Sequence, residues 1–264
     1  MSATFQKEDI LLSVDDLCVH FGGIIALDRV SFGAKTGEIL GLIGPNGAGK
    51  TTLFNCLSRI YPFTSGKIIF DDRELIAIPR HGIARAGIGR TFQNLALFRS
   101  MSVANNLMVG LHSLTRSSFF SNAVRLPYVS AEEQSSARKV DAILSLLQLE
   151  EVSDKKVADL PFGTCKRVEL GRALASEPKL LLLDEPACGL NHEEIASLSA
   201  IILKIRQQLN LTILLVEHHM QFVMGLSDRV IALNFGRVIA DGTPQEVRRH
   251  PEVMRAYLGN GTPG

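Results

Sequence analysis

The chain has 264 residues, 46% of them apolar, and a formal net charge of +1. That length suits one large α/β domain, or one domain with a smaller appendage, and the apolar share can fill a sizeable core. The near-zero charge gives no general pull toward nucleic acid, no apolar run approaches the ~20 residues of a membrane helix, and Cys18, Cys56, Cys165 and Cys188 form no C-x-x-C pair.

The scattered cysteines suit a reducing cytoplasm, and residues 1–9 carry acidic and polar residues without the apolar stretch of a signal peptide. Residues 11–20 alternate loosely through Leu12, Val14, Leu17 and Val19 and predict a strand. Phe21-Gly22-Gly23 turns the chain, and residues 24–32 continue in strand style. Phe21 is one of few aromatics in a chain that is 6% aromatic. It could stack on a purine or sit in the core, and both readings stay open here.

Residues 38–52 read EILGLIGPNGAGKTT. An apolar run with strand character breaks at Gly44-Pro45-Asn46-Gly47. Ala48-Gly49-Lys50-Thr51-Thr52 then opens a helical pattern through Leu53, Phe54, Leu57 and Ile60. Strand, glycine-rich loop and helix start are the context of a phosphate-binding loop. Glycines let backbone N–H groups approach a polyphosphate, and the first helical turn adds an anion site. Lys50 would reach the β- and γ-phosphates and the Thr51 hydroxyl would hold Mg²⁺. A chain of this length matches the eight-position pattern by accident about once in a hundred, so nucleoside triphosphate binding is the expectation.

Residues 66–70 predict a short strand, Asp71-Asp72-Arg73 a turn, and residues 79–86 a short helix. From about residue 95 to 168 the patterns are helical. Val140, Ile143, Leu144 and Leu147 form a core stripe, and residues 113–122 read as a connection between helices. A helical insert after an α/β start is a candidate second subdomain. In residues 160–176, LPFGTCKRVELGRALAS, Pro161 and Gly163 break the chain and a helix is expected from Thr164. The four leucines 180–183 suit a central strand buried on both faces. They end in Asp184-Glu185, carboxylates too costly to bury unpaired, at the strand end where α/β sheets bind ligands. Residues 193–209 predict a helix, 211–216 a buried strand ending in Glu217-His218-His219, and 222–226 a helix. Residues 229–233 and 237–240 predict strands, and the tail from Pro244 is partly helical with an end expected to fray.

With a triphosphate on Lys50 and Thr51, Asp184 fits as the carboxylate for Mg²⁺ or its water. Strand alternation points Glu185 elsewhere; it could deprotonate an attacking water, or be an ordinary surface carboxylate. Gln93 offers a carbonyl to Mg²⁺ or water, although most glutamines are surface residues. His218 could contact the γ-phosphate, and His219 beside it blurs the choice.

The order of these motifs resembles the ATP-binding subunits of ABC transporters: GPNGAGKTT, Thr91-Phe92-Gln93, LPFGTCKRVELGRAL, LLLLDEP, ACGLN and VEHHM. The stretches GRTFQNLALF and VMGLSDRVIALNFGRVIADGTPQEV, the long insert and Ala256-Tyr257-Leu258-Gly259 are similar to the branched-chain amino-acid uptake group. The resemblance implies an α/β P-loop NTPase core at 1–95 and 170–242, a RecA-like sheet plus an N-terminal antiparallel β subdomain. It also implies an inserted α-helical subdomain at 96–169 and a helical tail at 243–264. Phe21 falls at the adenine-stacking position, Gln93 at the Mg²⁺-sensing loop glutamine, Glu185 at the general base and His218 at the switch histidine.

Implied cofactors are ATP and Mg²⁺. Implied partners are a second ATP-binding subunit, identical or paralogous, paired head to tail, two integral membrane permease subunits, and indirectly an extracellular or periplasmic solute-binding protein. The implied place is peripheral, on the cytoplasmic face of the membrane, with no nucleic acid. Leu160 and Gly163 of the signature segment would cover the partner subunit's ATP. Pro161, Phe162, Thr164 and Cys165 depart from the common LSGGQ of that segment, Thr164 and Cys165 the most. The rival readings are a soluble ATPase of the superfamily in DNA repair or translation, and a lipid or lipopolysaccharide exporter subunit.

Overall fold

The apolar runs of the sequence become the middle of a six-stranded sheet, and their alternation serves two cores at once. The computed structural model describes residues 10–92, 95–111 and 127–258. The central strands are β3 (Ile39–Ile43), β7 (Leu180–Asp184) and β8 (Thr212–Val216). In β7, Leu181 and Leu183 enter one buried cluster and Leu180 and Leu182 the other. In β8, Ile213 and Leu215 face the first, Leu214 and Val216 the second. Each fully buried leucine contributes ~1.5–3 kcal/mol, so both faces hold these strands in register.

The sheet is extended by β6 (Ile88–Arg90), β9 (Arg229–Asn234) and β10 (Arg237–Gly242), in the order β10-β9-β3-β8-β7-β6. All neighbours are parallel except β10 on β9. An antiparallel sheet, β2-β1-β4-β5, is built from β1 (Ile10–Phe21), β2 (Ile24–Lys35), β4 (Ser65–Phe70) and β5 (Arg73–Glu74). Helix α1 (Lys50–Leu57) places Leu53, Phe54, Cys56 and Leu57 in the core shared by this sheet and the second face of the six-stranded one. Cys56 is a core residue, and burial raises its thiol pKa to about 11.

Short helix α2 (Ile83–Ala86) follows a single 3-10 turn at Arg80–Gly82. Helices α3 (Val103–Leu111), α4 (Pro127–Leu146) and α5 (Phe162–Leu174) pack together, with Leu107, Val140, Leu144 and Val168 in the same cluster as Leu181 and Leu183. The chain closes through α6 (His192–Leu209), α7 (Met220–Leu226), α8 (Pro244–Arg249) and α9 (Pro251–Leu258). Among the described residues no helix is long and apolar enough to cross a membrane. The expected connection at 113–122 lies outside the described residues.

Three local expectations change. The β4–β5 turn holds only Asp71 and Asp72, both at positive φ, and Arg73 already pairs with Phe70; this is the geometry of a two-residue hairpin turn. Strand β6 is too short to show periodicity in the sequence. Helix α5 starts at Phe162, not Thr164. Pro161 is the N-cap, where a missing N–H costs nothing because the first N–H groups lack helical partners anyway, so the helix can begin directly after it.

The α3–α5 crossing sets a testable limit. A Cβ at Gly110 would lie 2.4 Å from the Arg172 carbonyl oxygen and 2.8 Å from the Ala175 Cβ. Gly110→Ala should lower stability by about 1–3 kcal/mol from overpacking, less what the helix regains from alanine, and a denaturant melt measures it.

Candidate functional site

The loop leaves the sheet where the ladder stops. Leu42 pairs with Val216 and Ile43 with Ala232; Gly44 comes next. A Cβ on Gly44 would sit 2.3 Å from the Leu233 carbonyl oxygen, so only glycine fits. Gly49, the N-cap of α1, has φ +105° and would meet the Ala26 carbonyl oxygen at 2.7 Å. Around Gly47, with φ +79°, the space is open.

Lys50 folds back into this loop. Its Nζ donates to the Gly44 carbonyl at 2.6 Å and the Pro45 carbonyl at 2.9 Å. Burial holds its pKa below the usual lysine range, and the Glu185 and Asp184 carboxylates pull it back up. In front lies a cleft of about 860 Å³. It is lined by Asn46, Gly47, Ala48, Gly49, Lys50, Thr51 and Thr52, by Ile24, Ile25 and Ala26 of β2, and by Glu185, Cys188 and His218. Phe21 is 43% exposed, pairs with Ile24 across the hairpin and meets Tyr61 edge to face at 5.5 Å. That exposure removes the reading of Phe21 as a core residue.

Asp184 ends β7 as a buried carboxylate, and its Oδ2 accepts from Arg90 Nη2 at 2.9 Å. Arg90 also donates to Asn55 Oδ1 and Ser58 Oγ, both at 2.9 Å, and stacks over Phe54 and Phe92. The Asp184 charge is therefore paired rather than stranded. Glu185 steps off the strand with φ +50°, and its N–H donates to the Val216 carbonyl at 2.9 Å. That turn aims its side chain at the cleft, where Oε2 lies 3.2 Å from His218 Nε2. Two expected residues from different strand ends thus meet.

Glu217 was not singled out from the sequence, yet its carboxylate is the joint of this region. It is 1% exposed. Oε1 accepts from the Ala187 N–H at 2.7 Å, and Oε2 from the His218 and His219 N–H groups at 3.0 and 3.3 Å. The signal that exposed Asp184, a carboxylate ending an apolar run, also marks Glu217. Glu169 of α5 is a second buried carboxylate that joins two segments, and no apolar run marks it. Burial raises its pKa, and its Oε1 accepts from the Phe92 N–H at 2.9 Å. It therefore ties the stretch before Gln93 to α5; Gln93 itself lies outside the described residues.

Leu160 and Gly163 are not among the residues lining the cleft. A Cβ on Gly163 would lie 2.4 Å from Glu194 Oε1, so the start of α5 abuts the start of α6. There Asn191 and Glu194 form a capping box. Cys165 makes the first helical bond of α5 to the Pro161 carbonyl at 3.0 Å, which leaves the N–H groups of Phe162, Gly163 and Thr164 ahead of it. Cys165 is buried, with Sγ 3.6 Å from the Val157 carbonyl oxygen, and burial raises its thiol pKa. It is a packing residue.

Residues 27–188 match the family model described as ABC transporter, and residues 237–262 the one described as branched-chain amino acid ATP-binding cassette transporter. The chain is 42% identical to the high-affinity branched-chain amino acid transport ATP-binding protein LivG of Salmonella typhimurium, over 94% of this chain and 98% of that one. It is 39% identical, with the same coverage, to the corresponding protein BraF of Pseudomonas aeruginosa. A solved ATP-binding cassette of an ABC transporter in its ADP conformation superimposes with a TM-score of 0.83 at 29% identity, covering 96% of this chain and all of that one.

Two substitutions test the site. Glu185→Gln should leave ATP binding intact and cut hydrolysis by ~10²–10⁴-fold, the contribution of a general base; single-turnover phosphate release measures it. Glu217→Gln puts an amide donor against backbone donors. It should cost about 1–3 kcal/mol of stability and lower turnover by about tenfold with little change in nucleotide affinity, seen by melting, steady-state kinetics and nucleotide titration.

Proposed function

We propose, from the premise that this chain belongs to the ABC transporter family of ATP-binding cassettes, that it powers uptake of branched-chain amino acids or a related small solute through separate membrane permease subunits. The chain is an ATPase of that family. The observation that carries the import reading is the match of residues 237–262, which lie beyond the motifs that all such ATPases need.

The residues divide the work. Backbone N–H groups from Asn46 to Thr52 and the Lys50 ammonium bind and orient the phosphates. Lys50 would exchange its two loop carbonyls for phosphate oxygens. Glu185 takes the proton of an attacking water, and His218 holds the Glu185 carboxylate in place. Bound Mg²⁺ would neutralise charge on the β- and γ-phosphates. The Thr51 hydroxyl and the Asp184 carboxylate are oxygen donors of the kind it takes beside substrate phosphates, with Gln93 as a further donor. Phe21, exposed beside Ile24 of the cleft wall, offers a face for the adenine ring.

Leu160 and Gly163 stand apart from their own chain's cleft. That supports their use on the ATP of a second ATP-binding subunit, with two chains paired head to tail. The helical subdomain at 96–169, joined to the nucleotide core through Glu169 and Phe92, would carry closure to the permeases at the cytoplasmic face of the membrane. A solute-binding protein on the far side would deliver the cargo.

Deleting the gene in the native host should abolish high-affinity uptake of labelled leucine or valine, and the intact chain, but not the Glu185→Gln form, should restore it. Undiminished uptake of branched-chain and related amino acids in the deletion strain would remove the import assignment while leaving the ATPase assignment in place.

A further inference from the structure

Gly44 is the first residue beyond the β3 ladder, so the sheet supplies no obvious acceptor for its N–H. That N–H donates instead to the Tyr257 hydroxyl at 2.7 Å, from a helix 213 residues further along the chain. On its other side, the Gly44 carbonyl accepts from Lys50 Nζ at 2.6 Å. The Tyr257 and Lys50 contacts therefore fall on one residue, the first through its N–H and the second through its carbonyl. The glycine is also pressed against the Leu233 carbonyl, where a Cβ would lie at 2.3 Å. The root of the phosphate loop is thus held from two directions, by β9 sterically and by α9 through one hydroxyl.

The helix that presents Tyr257 is itself anchored. Val247 of α8 and Val253 of α9 are buried in the cluster that holds Val230 and Ala232. Thr243 and Glu246 form a capping box at the start of α8, with Pro244 in its first turn. Between α9 and the outer side of the loop lies a cleft of about 480 Å³, lined among others by Asn46, Gly47, Phe235, Glu252 and Arg255. The Tyr257 hydroxyl bridges helix and loop at the edge of this region. Burial raises the phenol pKa, which keeps the hydroxyl in its neutral form.

We propose that Tyr257 is a positioning residue for nucleotide binding: its hydroxyl fixes Gly44 and, through the Gly44 carbonyl, the resting place of Lys50. The C-terminal helix pair is thereby coupled to ATP affinity, and anything that shifts α9 on its seat is felt at the loop. Tyr257 faces Gly44 and is not among the residues lining the catalytic cleft, so it should affect binding more than the chemical step.

The inference rests on ATP occupying this loop, which nucleotide titration of the unchanged chain and of Lys50→Ala checks separately. Tyr257→Phe keeps the ring and removes only the hydroxyl. It should raise both the Kd and the KM for ATP by about three- to tenfold, the weight of one hydrogen bond, with kcat within about twofold. Tyr257→Ala should raise KM at least as much, and the Gly44 amide proton should move in the NMR spectrum of Tyr257→Phe. If the unchanged chain binds ATP, Lys50→Ala does not, and Tyr257→Phe matches the unchanged chain in Kd and KM, the positioning role is wrong and the nucleotide site stands. A fall in kcat with KM unchanged would also overturn it.

Discussion

The parallel pairing of β8 with β3 on one side and β7 on the other is what the rest of the molecule depends on. Val216 pairs with Leu42 across one ladder and with Asp184 across the other. The three strands therefore end at the same level, and the chain leaves all three on one side of the sheet. The phosphate loop, Asp184-Glu185 and Glu217-His218 are brought together by that register. A slip of one residue in any ladder would turn Leu181, Leu183 or Ile213 to the wrong core, so the hydrophobic burial that stabilises the sheet also aligns the site.

The second constraint is that charge must be kept in a largely buried place. A lone buried charge is costly, and removing one partner of a pair leaves the other stranded. Each group here has its own solution. Lys50 uses loop carbonyls, Asp184 uses Arg90, and Glu217 uses three backbone N–H groups. The Glu217 arrangement does more than satisfy a carboxylate. It joins the loop after β7 to the loop after β8, so the segment that begins at Ala187 and the two histidines share one anchor. Glu169 makes a comparable joint between α5 and the stretch before Gln93. Both joints tie segments that are far apart in the sequence through buried carboxylates.

Much of this was legible in the residues. Continuous apolar runs bounded by glycine or carboxylates announced β3, β7 and β8, because a strand buried on both faces has no polar face to show. The phosphate loop was legible because its glycines, lysine and threonine are needed in a fixed local order. Elements whose existence rests on a distant partner were not. Strand β6 spans Ile88–Arg90 and exists because β7 pairs with it. Arg90 shows no local sign that it will carry the charge of Asp184. Helix α5 starts before the point that Pro161 and Gly163 suggested, since the first turn demands little of either residue.

Residue order alone was enough to mark the candidate groups: a glycine-rich loop with Lys50 and Thr51, a buried strand ending in two carboxylates, and a histidine after another buried strand. Local backbone rules and the solvation cost of charge suffice for that, and neither needs a distant partner. Which groups meet follows from the packed fold. It turned Glu185 toward His218 through a single left-handed residue, made Glu217 a joint rather than another surface acid, and set the Tyr257 hydroxyl against the Gly44 N–H. Those contacts depend on strand register and helix seating summed over the whole core, which no short window of residues contains.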